Sequence, residues 1–161
     1  MGKKMKKLET NKVYEGNSLD VLKTFPDESL DMCVTSPPYW GLRDYEMDEQ
    51  LGLESTPEEF INNLCDIFDE VQRVLRPHGS CWVNLGDSYV RNPSEQVNQS
   101  GITAKYKYNY QHKKNYGSTY KPKSLVQIPN RFAIEMTDRG WILRNEIIWH
   151  KPSCMPASVK D

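Results

Sequence analysis

The chain has 161 residues, a formal net charge of −1, 37% hydrophobic residues and 27% charged residues. That length supplies one ordinary domain, and the near-neutral balance excludes a strongly basic coat protein or an acidic tail. No apolar run approaches the roughly 20 residues that span a bilayer, and the lysine-rich start lacks the apolar stretch of a signal peptide, so the sequence reads as cytoplasmic with no membrane partner.

Residues 1–11 read as a flexible basic tail. Lys12–Glu15 is then expected as a short strand, and Asn17 or Ser18 as the cap of a helix running to about Phe25, with Leu19, Val21, Leu22 and Phe25 on one buried side. Pro26–Ser29 is a turn, and Leu30–Val34 a compact apolar strand that runs straight into Thr35-Ser36-Pro37-Pro38-Tyr39.

Ser55-Thr56-Pro57-Glu58-Glu59 opens a second helix with a hydroxyl cap, a proline in the first turn and acids near the positive end of the dipole. Phe60, Ile61, Leu64, Ile67, Phe68, Val71, Val74 and Leu75 recur at helical spacing, and Pro77-His78-Gly79 is expected to stop the helix before a strand at Ser80–Leu85. Residues 44–70 carry acids and no bases, which suggests a solvated helix surface facing away from any nucleic acid.

Residues 88–124 lack apolar periodicity and read as one long loop. Leu125–Arg139 is expected as a helix ended by Gly140, and Trp141–Trp149 as a strand or bent strand pair. Alternating strands and helices argue for an α/β fold with a largely parallel sheet.

Cys33, Cys65, Cys81 and Cys154 are widely spaced, with neither a CxxC pair nor a histidine at zinc spacing, so no disulfide framework and no metal site is expected. Cys33 reads as buried strand filler.

Ser36-Pro37-Pro38-Tyr39 is the most informative stretch. Two prolines stiffen the backbone where an open α/β sheet presents its ligand crevice. A hydroxyl, a backbone carbonyl and an aromatic ring converge there, the groups needed to hold a planar base and accept hydrogen bonds from its exocyclic amine. The tetrapeptide taken by itself reads first as a rigid turn. Lys105–Lys123 interleaves lysines with tyrosines and has no acid, which suits either a solvated loop or a surface meeting phosphates and unstacked bases.

Five segments give this pattern a context: Glu15-Gly16-Asn17-Ser18-Leu19, Val34–Trp40, Arg76–Ser80, Asn84–Tyr89 and Asn145–Pro152. In that order they resemble the AdoMet-dependent amino-methyltransferases that modify DNA at cytosine N4 or adenine N6, in the permuted class whose catalytic half comes first. The resemblance runs from about Asn11 to Asp161 and implies a partial Rossmann-like sheet flanked by helices, with residues 1–161 as the catalytic half of a methyltransferase domain.

It implies that Ser36, Pro37, Pro38 and Tyr39 form the pocket for the target amine, that S-adenosyl-L-methionine is the cofactor and double-stranded DNA the partner, and that the base is flipped, because a stacked amine cannot be approached in line. Serine at the first motif position is more similar to the cytosine N4 enzymes, with adenine N6 as the alternative.

Asn17 either contacts the cofactor or caps a helix, and Asp87 lies near the cofactor or makes a turn. Arg43, Lys105, Lys107, Lys113, Lys114, Tyr108 and Tyr110 are the candidate DNA contacts. The carbon-methylating enzymes' Pro-Cys pair is absent, which excludes Cys33 as a nucleophile.

The family's Phe-x-Gly-x-Gly cofactor loop and the acidic residue after it are missing from this sequence. In the family's sheet, the missing strands lie between those near Val13 and Met32. The expectation is therefore an amino-terminal part with exposed apolar edges, which needs a carboxyl-terminal half or self-association to be active, or else a catalytically silent DNA-binding subunit.

Overall fold

The structure is a computed structural model, and it describes residues 8–90 and 120–153. In chain order the elements are α1 (Ser18–Lys23), β1 (Leu30–Thr35), α2 (Pro57–Val74), β2 (Leu75–Val83) and α3 (Ile128–Asp138). β1 and β2 pair in parallel, and together they make a two-stranded sheet among the described residues.

α2 organises the core. Thr56 Oγ accepts from the Glu59 amide and the Glu59 carboxylate accepts from the Thr56 amide, a reciprocal cap that satisfies two orphan donors in front of Pro57. The apolar stripe then buries Phe60, Ile61, Leu64, Phe68, Val71 and Val74 as its spacing requires, and Cys65 joins them. Ile67 is only half-buried.

Phe68 meets Phe132 of α3 edge to face at 5.1 Å and Trp141 at 6.5 Å. Arg139, at the end of α3, reaches Asp66 and Asp69 of α2, both at 2.7 Å, and Glu135 at 2.8 Å. Glu58 accepts from the Tyr120 hydroxyl at 2.9 Å. Part of the acidic stretch 44–70 is therefore engaged in internal pairing and is not simply a solvated face.

α1 is shorter than expected, ending at Lys23. Arg73 of α2 braces the carboxyl end of α1: the guanidinium donates to Leu22 O in the last turn at 2.9 Å and to Phe25 O just beyond the helix at 3.0 Å while pairing with Asp27 and Glu70.

β2 begins five residues earlier than its apolar run suggests. Leu75 pairs with Leu30, and the ladder then skips to Met32–Ser80, so Pro77-His78-Gly79 forms an irregularity inside the strand. Arg76 pairs with Asp31 across the irregularity.

Two expected strands do not form. Residues 12–15 and 141–149 contain no strand: a strand must satisfy its amides against a neighbour, and among the described residues β1 and β2 pair only with each other. Val13 is 91% exposed, and Ile142, Ile147, Ile148 and Trp149 are all exposed. The open sheet face adds Met32, Val34 and Trp82, so the expected apolar exposure is present.

α3 starts at Ile128 rather than Leu125. Leu125 instead bridges Tyr89 in antiparallel fashion, supported by bonds from Val90 N to Ser124 O and from Val126 N to Ser88 O. The ends of the expected loop 88–124 are thus zipped together, and its stretch 91–119 lies outside the described residues. No helix among the described residues is long and apolar enough to cross a membrane.

Candidate functional site

β1 and β2 run parallel, so their carboxyl ends open at the same edge of the sheet, where open α/β folds carry their ligand crevice. Ser36-Pro37-Pro38-Tyr39 leaves β1 there, and Asn84-Leu85-Gly86-Asp87 leaves β2. The Asn84 amide donates to Thr35 O at 2.9 Å, which fixes the residue just before Ser36.

The turn is held from both sides. Trp40 is 3% exposed and its indole N–H donates to Glu54 O at 2.9 Å. Gly41 N donates to Gly52 O at 2.6 Å, and Leu42 N to Tyr39 O at 3.2 Å. Gly52 has φ +94, and a Cβ there would lie 2.9 Å from the Tyr39 carbonyl oxygen, so this close approach requires glycine.

Ser36, Pro37, Pro38, Tyr39, Leu42, Arg43 and Tyr45 line one cavity of about 280 Å³. The structure therefore brings Arg43 to the four motif residues. Leu42 and Tyr45 are additional lining residues with no signal of their own in the sequence, because the irregular segment 41–55 has no periodicity. Ser36 is exposed and Tyr39 half-buried, which leaves the hydroxyl accessible at the mouth of the cavity.

Asn17 lines a different cavity of about 560 Å³, formed by Lys12–Asn17 with Asp20, Val21 and Thr24. Its side-chain oxygen accepts from Leu19 N at 3.0 Å, so Asn17 does serve as the cap of α1. The Asp87 carboxylate accepts from three backbone amides: Ser88 at 2.8 Å, and Gln127 and Ile128 at 3.0 Å each.

AdoMet would need acceptor oxygens for its adenine amine and ribose hydroxyls. Both side chains expected to contribute here, Asn17 and Asp87, already accept from backbone amides. Lys105, Lys107, Tyr108, Tyr110, Lys113 and Lys114 lie outside the described residues. Among the described residues there is no group of three or more His, Cys, Asp or Glu side chains that could hold a metal ion.

Cys33 is half-buried and is the register partner of Cys81. A hydrogen bond from the Cys81 thiol pulls the Cys33 thiol down to about 7 against the opposing effect of burial, while Cys81 is pushed up. Cys33 is thus an ionisable strand residue as well as filler. At pH 7.5 it should be largely thiolate; Cys81→Ala should return it toward the ordinary thiol range and slow its alkylation by iodoacetamide about tenfold. Mass-spectrometric labelling rates across pH 6–9 check this, and an unchanged rate profile would contradict it.

The fold and this cavity define an α/β protein with a polar, aromatic-lined pocket at the carboxyl edge of its sheet. The chain belongs to the DNA methylase family of N6/N4 methyltransferases, which matches residues 30–161.

It is 46% identical over 149 residues to the type II methyltransferase M.SfiI of Streptomyces fimbriatus, covering 92% of this chain and 32% of that protein. It is 43% identical over 155 residues to M.Cfr9I of Citrobacter freundii, covering 92% of this chain and 49% of the relative. It is 37% identical over 154 residues to M.SmaI of Serratia marcescens, covering 96% and 52%. The chain thus spans between about a third and half of the length of these curated relatives. No solved structure matches it significantly.

Proposed function

We propose that this chain is the base-holding half of a cytoplasmic, site-specific DNA methyltransferase that modifies the exocyclic amine of a flipped base, with cytosine N4 as the target. The observation that carries this reading is the gathering of Ser36, Pro37, Pro38, Tyr39 and Arg43 around one cavity at the carboxyl edge of the sheet, in a chain of the DNA methylase family.

In this reading Tyr39 stacks on the extruded base and recovers roughly 1–3 kcal/mol of lost stacking. Ser36 and a backbone carbonyl of the turn accept hydrogen bonds from the amine, which favours the positive nitrogen that develops during transfer. Arg43 meets a phosphate beside the cavity, and the lysines and tyrosines at 105–114 extend the DNA contact.

The methyl donor implied by the family resemblance, AdoMet, is held chiefly by a carboxyl-terminal half. The exposed sheet face of Met32, Val34 and Trp82 supports that division.

The test is calorimetric titration of AdoMet into the 161-residue chain, followed by nucleoside analysis of DNA incubated with the chain and a carboxyl-terminal half. No AdoMet binding alone, with N4-methylcytosine formed once the second half is present, is the expected result. N6-methyladenine would move the target to adenine. DNA binding with no methylated base under any complementation would make the chain a silent subunit.

Within the active assembly, Ser36→Ala should lower turnover about tenfold with little change in DNA affinity, the loss of one hydrogen bond at the reacting amine. Charge reversal at Lys113 and Lys114 should do the opposite. Equal losses of affinity from both changes would contradict this division of roles.

A further inference from the structure

Gly86 and Tyr39 are 47 positions apart and belong to different motifs, yet the parallel pairing of β1 and β2 delivers them to the same sheet edge. A Cβ built on Gly86 would lie 2.7 Å from Tyr39 Cε2, 2.8 Å from Cδ2 and 3.4 Å from Cζ. Real side chains essentially never approach this closely, so one side of the tyrosine ring rests directly on the Gly86 backbone. The ring cannot occupy this place if residue 86 carries any side chain.

The usual reason for glycine does not apply here. Gly16, Gly41, Gly52 and Gly140 have positive φ, whereas Gly86 does not, so its backbone conformation is open to alanine. The three atoms nearest to a methyl group here all belong to the Tyr39 ring. On the other side, the Tyr39 backbone is fixed by Gly52 and by the buried Trp40, so the side chain has limited means of stepping aside.

We infer that Gly86 is a positioning residue for Tyr39: its bare backbone is the platform that sets the ring at the cavity wall, and thereby sets the plane on which an extruded base stacks. The inference rests on the base-stacking role proposed for Tyr39, but the contact between Gly86 and the ring can be tested separately from that role. Asp87, tied to the α3 amides, holds the platform in place from its other side.

The test is a double-mutant cycle on Gly86→Ala and Tyr39→Ala, read in three ways. In protein labelled with 3-fluorotyrosine, Gly86→Ala should shift the resonance that disappears in Tyr39→Phe. Gly86→Ala should lower Tm in the Tyr39 background, and in the Tyr39→Ala background it should leave Tm where Tyr39→Ala alone put it. If Gly86→Ala fails to fold, the double variant should fold again.

A loss of Tm from Gly86→Ala that persists undiminished in the Tyr39→Ala background, or a double variant that does not recover, overturns the inference.

The third reading is affinity for a duplex carrying 2-aminopurine at the extruded position. Gly86→Ala and Tyr39→Ala should each weaken it by the same factor, roughly tenfold, and the double variant no further. If the Tm and fluorine results show coupling while neither substitution affects this affinity, Gly86 still positions Tyr39 and it is the base-stacking role that fails.

Discussion

Phe68→Ala should lower the unfolding free energy by about 3–5 kcal/mol, the range for removing a buried phenyl ring that its surroundings cannot refill. Phe68 is 2% exposed and sits where α2 meets two other groups: Phe132 of α3 and Trp141 in the segment after α3. Two edge-to-face contacts are lost with the ring, beyond the area it buries.

A typical domain has only about 5–15 kcal/mol of stability, and this one also leaves Met32, Val34 and Trp82 exposed on its sheet face. The substitution should therefore bring the chain close to unfolding at room temperature. Urea titration followed by circular dichroism reads the loss directly. Phe68→Leu, which keeps most of the volume, should recover more than half of it. If both variants melt like the parent, the packing of α3 on α2 contributes far less than its burial implies.

The parts of this fold legible in the sequence are those whose cause is local. The reciprocal cap at Thr56 and Glu59, Pro57 behind it and an apolar stripe every three or four residues define α2 within its own segment. The Ser-Pro-Pro-Tyr turn at the end of β1 is legible for the same reason, and Arg43 follows because only three residues separate it from Tyr39.

Features that depend on distant partners are not legible. Residues 12–15 and 141–149 have strand-like composition, but composition cannot supply the neighbouring strand. β2 starts at Leu75, directly after α2 ends at Val74, because Leu30 is there to pair with it, so Pro77-His78-Gly79 falls inside the strand and not ahead of it. The platform under Tyr39 comes from a glycine whose need is set by a ring 47 positions earlier. The acids of 44–70 find Arg139 and Tyr120 only once α3 has docked.

The start of α3 is the clearest non-local case, and it leads to the second large effect. Gln127 precedes the helix in a left-handed conformation, φ 65 and ψ 40, and provides no side-chain cap of its own. The amides of Gln127 and Ile128 would be orphaned at the helix start, yet the Asp87 carboxylate takes both from 40 and 41 positions away and places its negative charge at the positive end of the helix dipole.

Asp87→Ala should therefore cost about 2–3 kcal/mol, the combined loss of a cap and of hydrogen bonds to a charged acceptor. Asp87→Asn, which keeps one acceptor oxygen, should cost about half as much. Hydrogen exchange should show the first turn of α3 losing protection in Asp87→Ala before α2 does.

This distinguishes a capping aspartate from one reserved for a ligand. Loss of function with unchanged stability would mean that the carboxylate works on a bound molecule. Loss of stability and of α3 protection, at unchanged affinity per folded molecule, would mean that the residue between Gly86 and Ser88 holds the edge of the cavity in shape.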